Sequence, residues 1–196
     1  DGEEVTFSGR SVILCTGGVS YPGTGSTGDG YAMAQALGHR IMEPCASLVP
    51  LVSSDDYCAE LSGFAPKNVV LTVWEDEKPI FREQGEMLFA HFGVTGPLVL
   101  SASAHMLHFG TKAYRLTIDL KPALDEEKLD DRILRDFEKY RNRDFANALT
   151  DLAPRSLIPV LVRLSGIAPD TKVHSVTKQQ RRSLLQLFKA FPVHVT

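Results

Sequence analysis

The chain has 196 residues, of which 43% are hydrophobic and 23% charged, with a formal net charge of −3. That mixture belongs to a folded protein with a buried core, and the charge gives no electrostatic reason to expect nucleic acid or an anionic membrane as partner. Three cysteines, Cys15, Cys45 and Cys58, give neither a disulfide framework nor a zinc ribbon and fit a reducing, cytoplasmic setting, while no apolar run reaches the roughly 20 residues of a bilayer span.

Residues 5–7 and 11–15 predict two short strands joined by Ser8-Gly9-Arg10, the second apolar enough to be buried on both faces. A stretch dense in Gly, Ser and Thr follows from Gly17 to Gly30, then a helix to Leu37 with Gly38 as its C-terminal cap. Ala32 and Ala36, small and four apart, allow that helix to lie close to a sheet. Beyond Pro44, strand-like runs at 48–53, 69–74, 79–82, 86–91 and 114–119 predict a small antiparallel sheet or barrel, interrupted by a helix from Pro97 to about His108.

From Asp125 the pattern turns helical. Leu129, Ile133, Leu134, Phe137 and Tyr140 form a stripe at helical spacing, with acids at its start and Lys139, Arg141 and Arg143 at its end. Leu157 to Leu164 is a second helical run, and Thr177-Lys-Gln-Gln180 is a capping box opening a third. The opening Asp-Gly-Glu-Glu lacks an initiator Met, and the close on Phe191-Pro-Val-His-Val-Thr196 is strand-like, so the chain reads as an interior piece of a longer polypeptide.

Two readings compete for the glycine loop. Gly23-Thr-Gly25-Ser-Thr-Gly28 spells the dinucleotide fingerprint ahead of a helix, and Glu43 lies where a ribose-binding carboxylate is expected, which would make this an NAD(P)-binding Rossmann protein. Against it, six residues separate Thr16 from Gly23, and they include Tyr21-Pro22, which cannot continue a tight glycine turn; no further βαβ unit follows. The other reading starts at the strand end: glycines at 17 and 18 let the backbone approach a planar or phosphorylated ligand closely, and a Ser/Thr/Gly loop at a helix start offers N–H groups to anionic or carbonyl oxygens.

The second reading has a family to go with it. Thr16-Gly17-Gly18 followed by Thr27-Gly28-Asp29-Gly30 and Leu37-Gly38 resembles the second FAD-contacting segment of the fumarate reductase and L-aspartate oxidase superfamily. More closely, Tyr21-Pro-Gly-Thr-Gly-Ser-Thr-Gly-Asp-Gly30 together with Gly85-Glu-Met-Leu-Phe-Ala-His-Phe-Gly-Val-Thr-Gly-Pro97 is similar to the NAD(P)/FAD-dependent oxidoreductases that include aminoacetone oxidase and the bile-acid reductase-like (BaiN/RdsA) proteins. Phe188-Lys-Ala-Phe-Pro-Val-His-Val195 extends the likeness to the end of the chain; family members more often have Thr at position 90, here Ala90, and Ser at 95, here Thr95.

The resemblance implies an α/β fragment of an FAD-binding domain (1–44) plus an α+β insertion domain. That insertion divides into a small β-barrel lobe (45–124) and a helical bundle lobe (125–192), with 193–196 starting a strand that returns toward the FAD domain. It implies FAD as a non-covalent cofactor held jointly with other segments of the same polypeptide, hydride exchange with a small-molecule substrate, and NAD(P)H as a candidate partner, with the electron donor and acceptor left open. The chain by itself is expected to be colourless and inactive. Thr16, Gly17, Gly18 and the run Thr24, Gly25, Ser26, Thr27, Gly28 and Asp29 are the candidate flavin contacts. No catalytic acid or base is indicated. A non-enzymatic binding module with a purely structural glycine loop is the contrasting reading.

The remaining polar residues carry weaker signals. His105 and His108 share a predicted helix face without a third ligand, so no metal site is expected. His91 sits in a Gly-rich turn where its ring is expected to bond local backbone groups. Lys178, Arg181, Arg182 and Lys189 read as a solvated helix face, Asp55-Asp56 as carboxylates without a partner, and Cys15 as an inert thiol inside an apolar strand.

Overall fold

The structure is a computed structural model that describes residues 5–196. It divides into two compact units, Asp1–Cys45 and Ala46–Thr196.

In the first unit, a 3₁₀ turn at Pro22–Thr24 precedes helix α1, Asp29–Ala36. Residues 5–7 and 11–15, expected as strands, are in no sheet: Phe7 is 91% exposed, and Val12 and Ile13 are 84% and 85% exposed. A strand persists only where a neighbour takes its backbone groups, and the described part of this unit supplies none. Cys15 is accordingly exposed, not inside a core. Helix α1 buries no residue within the unit, so the close packing anticipated from Ala32 and Ala36 is not realised there.

The second unit opens with β1, Leu51–Val52, and the single-turn helix α2, Tyr57–Glu60. Strands β2, Val69–Glu75, and β3, Lys78–Gly85, form a hairpin whose two-residue turn puts Asp76 at φ 53°, a left-handed angle that aspartate tolerates better than most residues. Then come β4, Leu88–Ala90, β5, Gly93–Thr95, helix α3, Pro97–Ser103, and β6, Tyr114–Asp119. The period of two is clean in β6, where Tyr114, Leu116 and Ile118 are buried and the residues between them only half so.

Two antiparallel sheets result, one of order β1-β5-β4, the other of four strands in which β6 pairs β2 on one side and β7, Phe191–His194, on the other. They meet at a single bridge, Ser53 to Val195, and where Gly85 leads into β4. The expected barrel is therefore two open sheets among the described residues, because β1 has only two residues with which to close it. The segment expected to start a return strand at 193 lies in a strand bound into this sheet, Val193 opposite Leu116.

Helix α3 stops at Ser103, five residues before the expected end. The Ser103 hydroxyl donates to the Leu100 carbonyl at 2.8 Å and accepts the Val49 N–H at 2.9 Å, a competing bond at the last turn. His105 and His108 consequently lie beyond the helix. Helix α4, Glu126–Lys139, begins at Asp125, whose carboxylate accepts the Lys128 N–H at 2.8 Å; Leu129, Ile133 and Phe137 face the core, while Leu134 is 41% exposed. After the short α5, Phe145–Ala148, helix α6, Ile158–Ser165, ends at Gly166 in the left-handed conformation, and α7, Lys178–Lys189, opens on the Thr177/Gln180 capping box.

The strands and helices share one core. Phe188 of α7 is fully buried, and Phe191 of β7 packs edge-on against both Tyr57 and Phe89. Sequence patterning separates the two lobes; burial joins them.

Candidate functional site

The glycine loop is built by its own close contacts. Gly17 and Gly28 have φ of 75° and 88°. A Cβ on Gly17 would lie 2.7 Å from the Ser26 hydroxyl, one on Gly28 would lie 2.7 Å from Val19, and one on Gly30 would run into the Thr16 hydroxyl. Segment 16–19 thus lies against 26–30, with glycine at each crossing because no side chain fits. Between these arms, Thr24 closes the 3₁₀ turn, its N–H and hydroxyl both donating to the Tyr21 carbonyl at 3.0 and 2.8 Å.

Gly23 and Gly25 face open space. Thr16, Gly17, Thr24, Gly25, Thr27 and Asp29 are exposed, and Gly18, Ser26 and Gly28 partly so. No side chain caps the start of α1; the Tyr31 N–H donates to the Gly28 carbonyl at 2.9 Å, leaving those of Asp29 and Gly30 available to an acceptor. The candidate cofactor residues are thereby gathered into one accessible hairpin-like loop. Its exposed hydroxyls, N–H groups and carboxylate suit an oxygen-rich, uncharged part of a cofactor, and Asp29 in the first turn makes the same helix start poor for a phosphate. All strand pairing among the described residues is antiparallel, so they build no Rossmann unit behind Gly23, Gly25 and Gly28.

The second motif, residues 85–97, is mainly architectural. Gly93, at φ 149°, lies where a Cβ would run into the Leu51 carbonyl of β1, and Gly96, at φ 97°, lies 3.0 Å from the Met87 backbone by the same measure. Pro97 opens α3. His91 is exposed at the β4–β5 turn, edge-on to Phe92 with centroids 5.2 Å apart, and makes no hydrogen bond among the described residues, contrary to the local bonding expected of it.

His108 pairs with Glu75 at 2.6 Å, and His105 packs on Phe81, so the two rings have separate partners. The His108 bond, helped by the Tyr114 hydroxyl and opposed by desolvation, holds the Glu75 carboxyl below the usual carboxylate range. The basic face of α7 is only partly solvated: Arg181 forks onto Asp130 at 2.7 and 3.0 Å, and Lys189 is pinned to Asp119.

Asp55 and Asp56, expected to lack partners, both have them: Asp56 lies 3.4 Å from Arg163, and Asp55 belongs to a polar cluster whose other members the sequence does not reveal. Asp55 accepts the His194 N–H at 2.7 Å and lies 3.0 Å from its Nδ1, with the Ser53 hydroxyl 3.3 Å away. Burial alone would raise the Asp55 carboxyl, but the His194 N–H and ring outweigh it and hold the group below its usual range. These partners are 139 positions apart, and only the pairing of β7 with β6 reveals them.

Residues 45–196 match the family model described as the HI0933-like protein barrel and H2TH domain. The chain is 26% identical over 183 residues to the ribosomal RNA dihydrouridine synthase of Escherichia coli (strain K12), covering 92% of this chain and 43% of that protein. It is 25% identical over 185 residues to the 3-dehydro-bile acid delta(4,6)-reductase of Clostridium scindens, covering 93% of this chain and 45% of that protein. The chain thus spans less than half the length of these curated relatives. With the match running from Cys45 to the last residue, the chain belongs to the HI0933-like family, the FAD-dependent family that its two glycine motifs resemble.

Proposed function

We propose that the chain works within an FAD-dependent oxidoreductase that reduces a conjugated carbon–carbon double bond of an organic substrate. The observation that carries this is the Thr16–Asp29 loop, whose exposed hydroxyls and N–H groups surround an uncapped helix start in a chain related to two enzymes of reductive chemistry. A dihydrouridine differs from uridine by hydrogen added across a ring double bond, and a delta(4,6)-reductase removes unsaturation from a ring system; the shared step is hydride delivery to a polarised alkene.

When bound, the flavin supplies that hydride. This chain's residues orient and exclude. The crossed arms at Gly17/Ser26 and Gly28/Val19 hold the loop in one shape, and Asp29 and Thr27 offer an acceptor and a hydroxyl to the cofactor's polar edge. The exposed apolar residues Val12 and Ile13 pack against further segments of the same polypeptide, which supply the pyrophosphate contacts. An FAD site assembled from several segments leaves the 196-residue chain colourless alone, since each tenfold loss of affinity needs only about 1.4 kcal/mol.

The test is anaerobic reduction of the protein made from the whole reading frame that contains this chain. NADH or NADPH is expected to bleach the visible flavin absorbance and a cyclic enone to restore it. Bleaching without reoxidation by any conjugated alkene would overturn the proposed reaction.

A further inference from the structure

In the second unit, loop 64–69 and segment 152–157 flank a half-open recess of about 290 Å³ over the end of α7. Phe64, Pro66 and Pro154 give it accessible walls, and buried Leu152, Leu157 and Phe188 lie beneath as its floor. The charged residues that line it are two lysines, Lys121 within and exposed Lys67 at the rim, and no carboxylate does.

Lys121 is half-buried and fixed by its backbone: its N–H donates to Asp119 at 2.9 Å, and its carbonyl accepts the Lys189 ammonium at 3.3 Å. The nearby Asp119 carboxylate has another partner. Asp119 takes Lys189, and the one charge felt by Lys121 is the cation of Arg132, leaving the Lys121 ammonium without an ion pair among the described residues. Burial, and then the Arg132 charge, hold this amine below the usual lysine range. A cation left in an apolar setting is costly, and a bound anion offsets the cost.

We propose that this recess binds a small amphipathic carboxylate, an aromatic or branched acid of one or two rings, whose body lies against Phe64, Pro66 and Pro154 and whose carboxylate pairs with Lys121. The recess, about 290 Å³, leaves room for one or two rings, benzene needing about 150 Å³. The site is independent of the flavin reading and stands or falls without it.

The experiment is calorimetric titration of the 196-residue chain with 2-naphthoate and with 2-naphthalenemethanol, its neutral analogue. Naphthoate is expected to bind one-to-one, the alcohol at least tenfold more weakly, and Lys121→Met to lose at least tenfold in naphthoate affinity without a lower unfolding midpoint; Lys121→Gln supplies the same reading should the methionine variant fail to fold. No saturable binding of naphthoate, equal binding of the alcohol, or unchanged affinity in the neutral variants would each overturn the proposal.

Discussion

The Lys189 ammonium lies 2.5 Å from the Asp119 carboxylate, with side chains only 16% and 13% exposed, and ties the last turn of α7 to the end of β6. Lys189 also donates to the Leu124 carbonyl at 2.8 Å, so one side chain fixes a helix, a strand and the approach to α4. Lys189→Met removes the cation and leaves Asp119 a largely buried, uncompensated charge. The expected loss is about 3–5 kcal/mol in urea unfolding, with at least about 1 kcal/mol recovered on adding Asp119→Asn. A loss well under 1 kcal/mol would show that the pair is not structural.

Asp55 makes stability depend on acidity. Its folded pKa is depressed by His194 below the unfolded value of about 3.9, so its contribution is present above that pH and fades as pH falls through the folded value. The stability difference between the native sequence and Asp55→Asn is therefore expected to be largest near neutrality and to shrink below about pH 4. Chemical denaturation at several pH values checks this; a difference that grows on acidification would reverse the sign.

Gly93 and Gly23 should differ in their tolerance of a methyl group. Gly93→Ala forces a Cβ into the β1 backbone at a left-handed φ, and a loss of about 3 kcal/mol or more is expected from strain and overpacking together. Gly23→Ala points into open space and should change stability by no more than about 0.5 kcal/mol. Thermal unfolding of both variants measures the contrast.

The sequence reveals elements wherever local chemistry settles them. The Thr177/Gln180 box, the Asp125 cap, Pro97 at a helix start and the alternation of β6 all carry their own signals. Three-residue β5 carries none, because Gly93-Val94-Thr95 is too short for a period; it becomes a strand only by pairing with Leu51 and Phe89. For the same reason, apolarity at 11–15 misleads: it marks a segment fit to be buried without showing that the described residues can bury it. Of the polar sites, the glycine loop is legible because its contacts lie within 15 positions. Asp55–His194 and the lone cation of Lys121 depend on tertiary pairing that no local pattern encodes.

The central claim, that the Thr16–Asp29 loop contacts FAD, is tested most directly by the flavin content of the protein expressed from the whole reading frame, native and with Gly17→Val. The branched side chain would strike Ser26 at a left-handed φ and open the loop's crossed arms, while leaving the residues of the second unit unchanged. The native protein is expected to purify yellow with one FAD per chain, and the variant to lose at least tenfold in FAD affinity with the unfolding midpoint of Ala46–Thr196, expressed alone, as the reference for an intact second unit. A colourless native protein, or full FAD retention in Gly17→Val, would contradict the account.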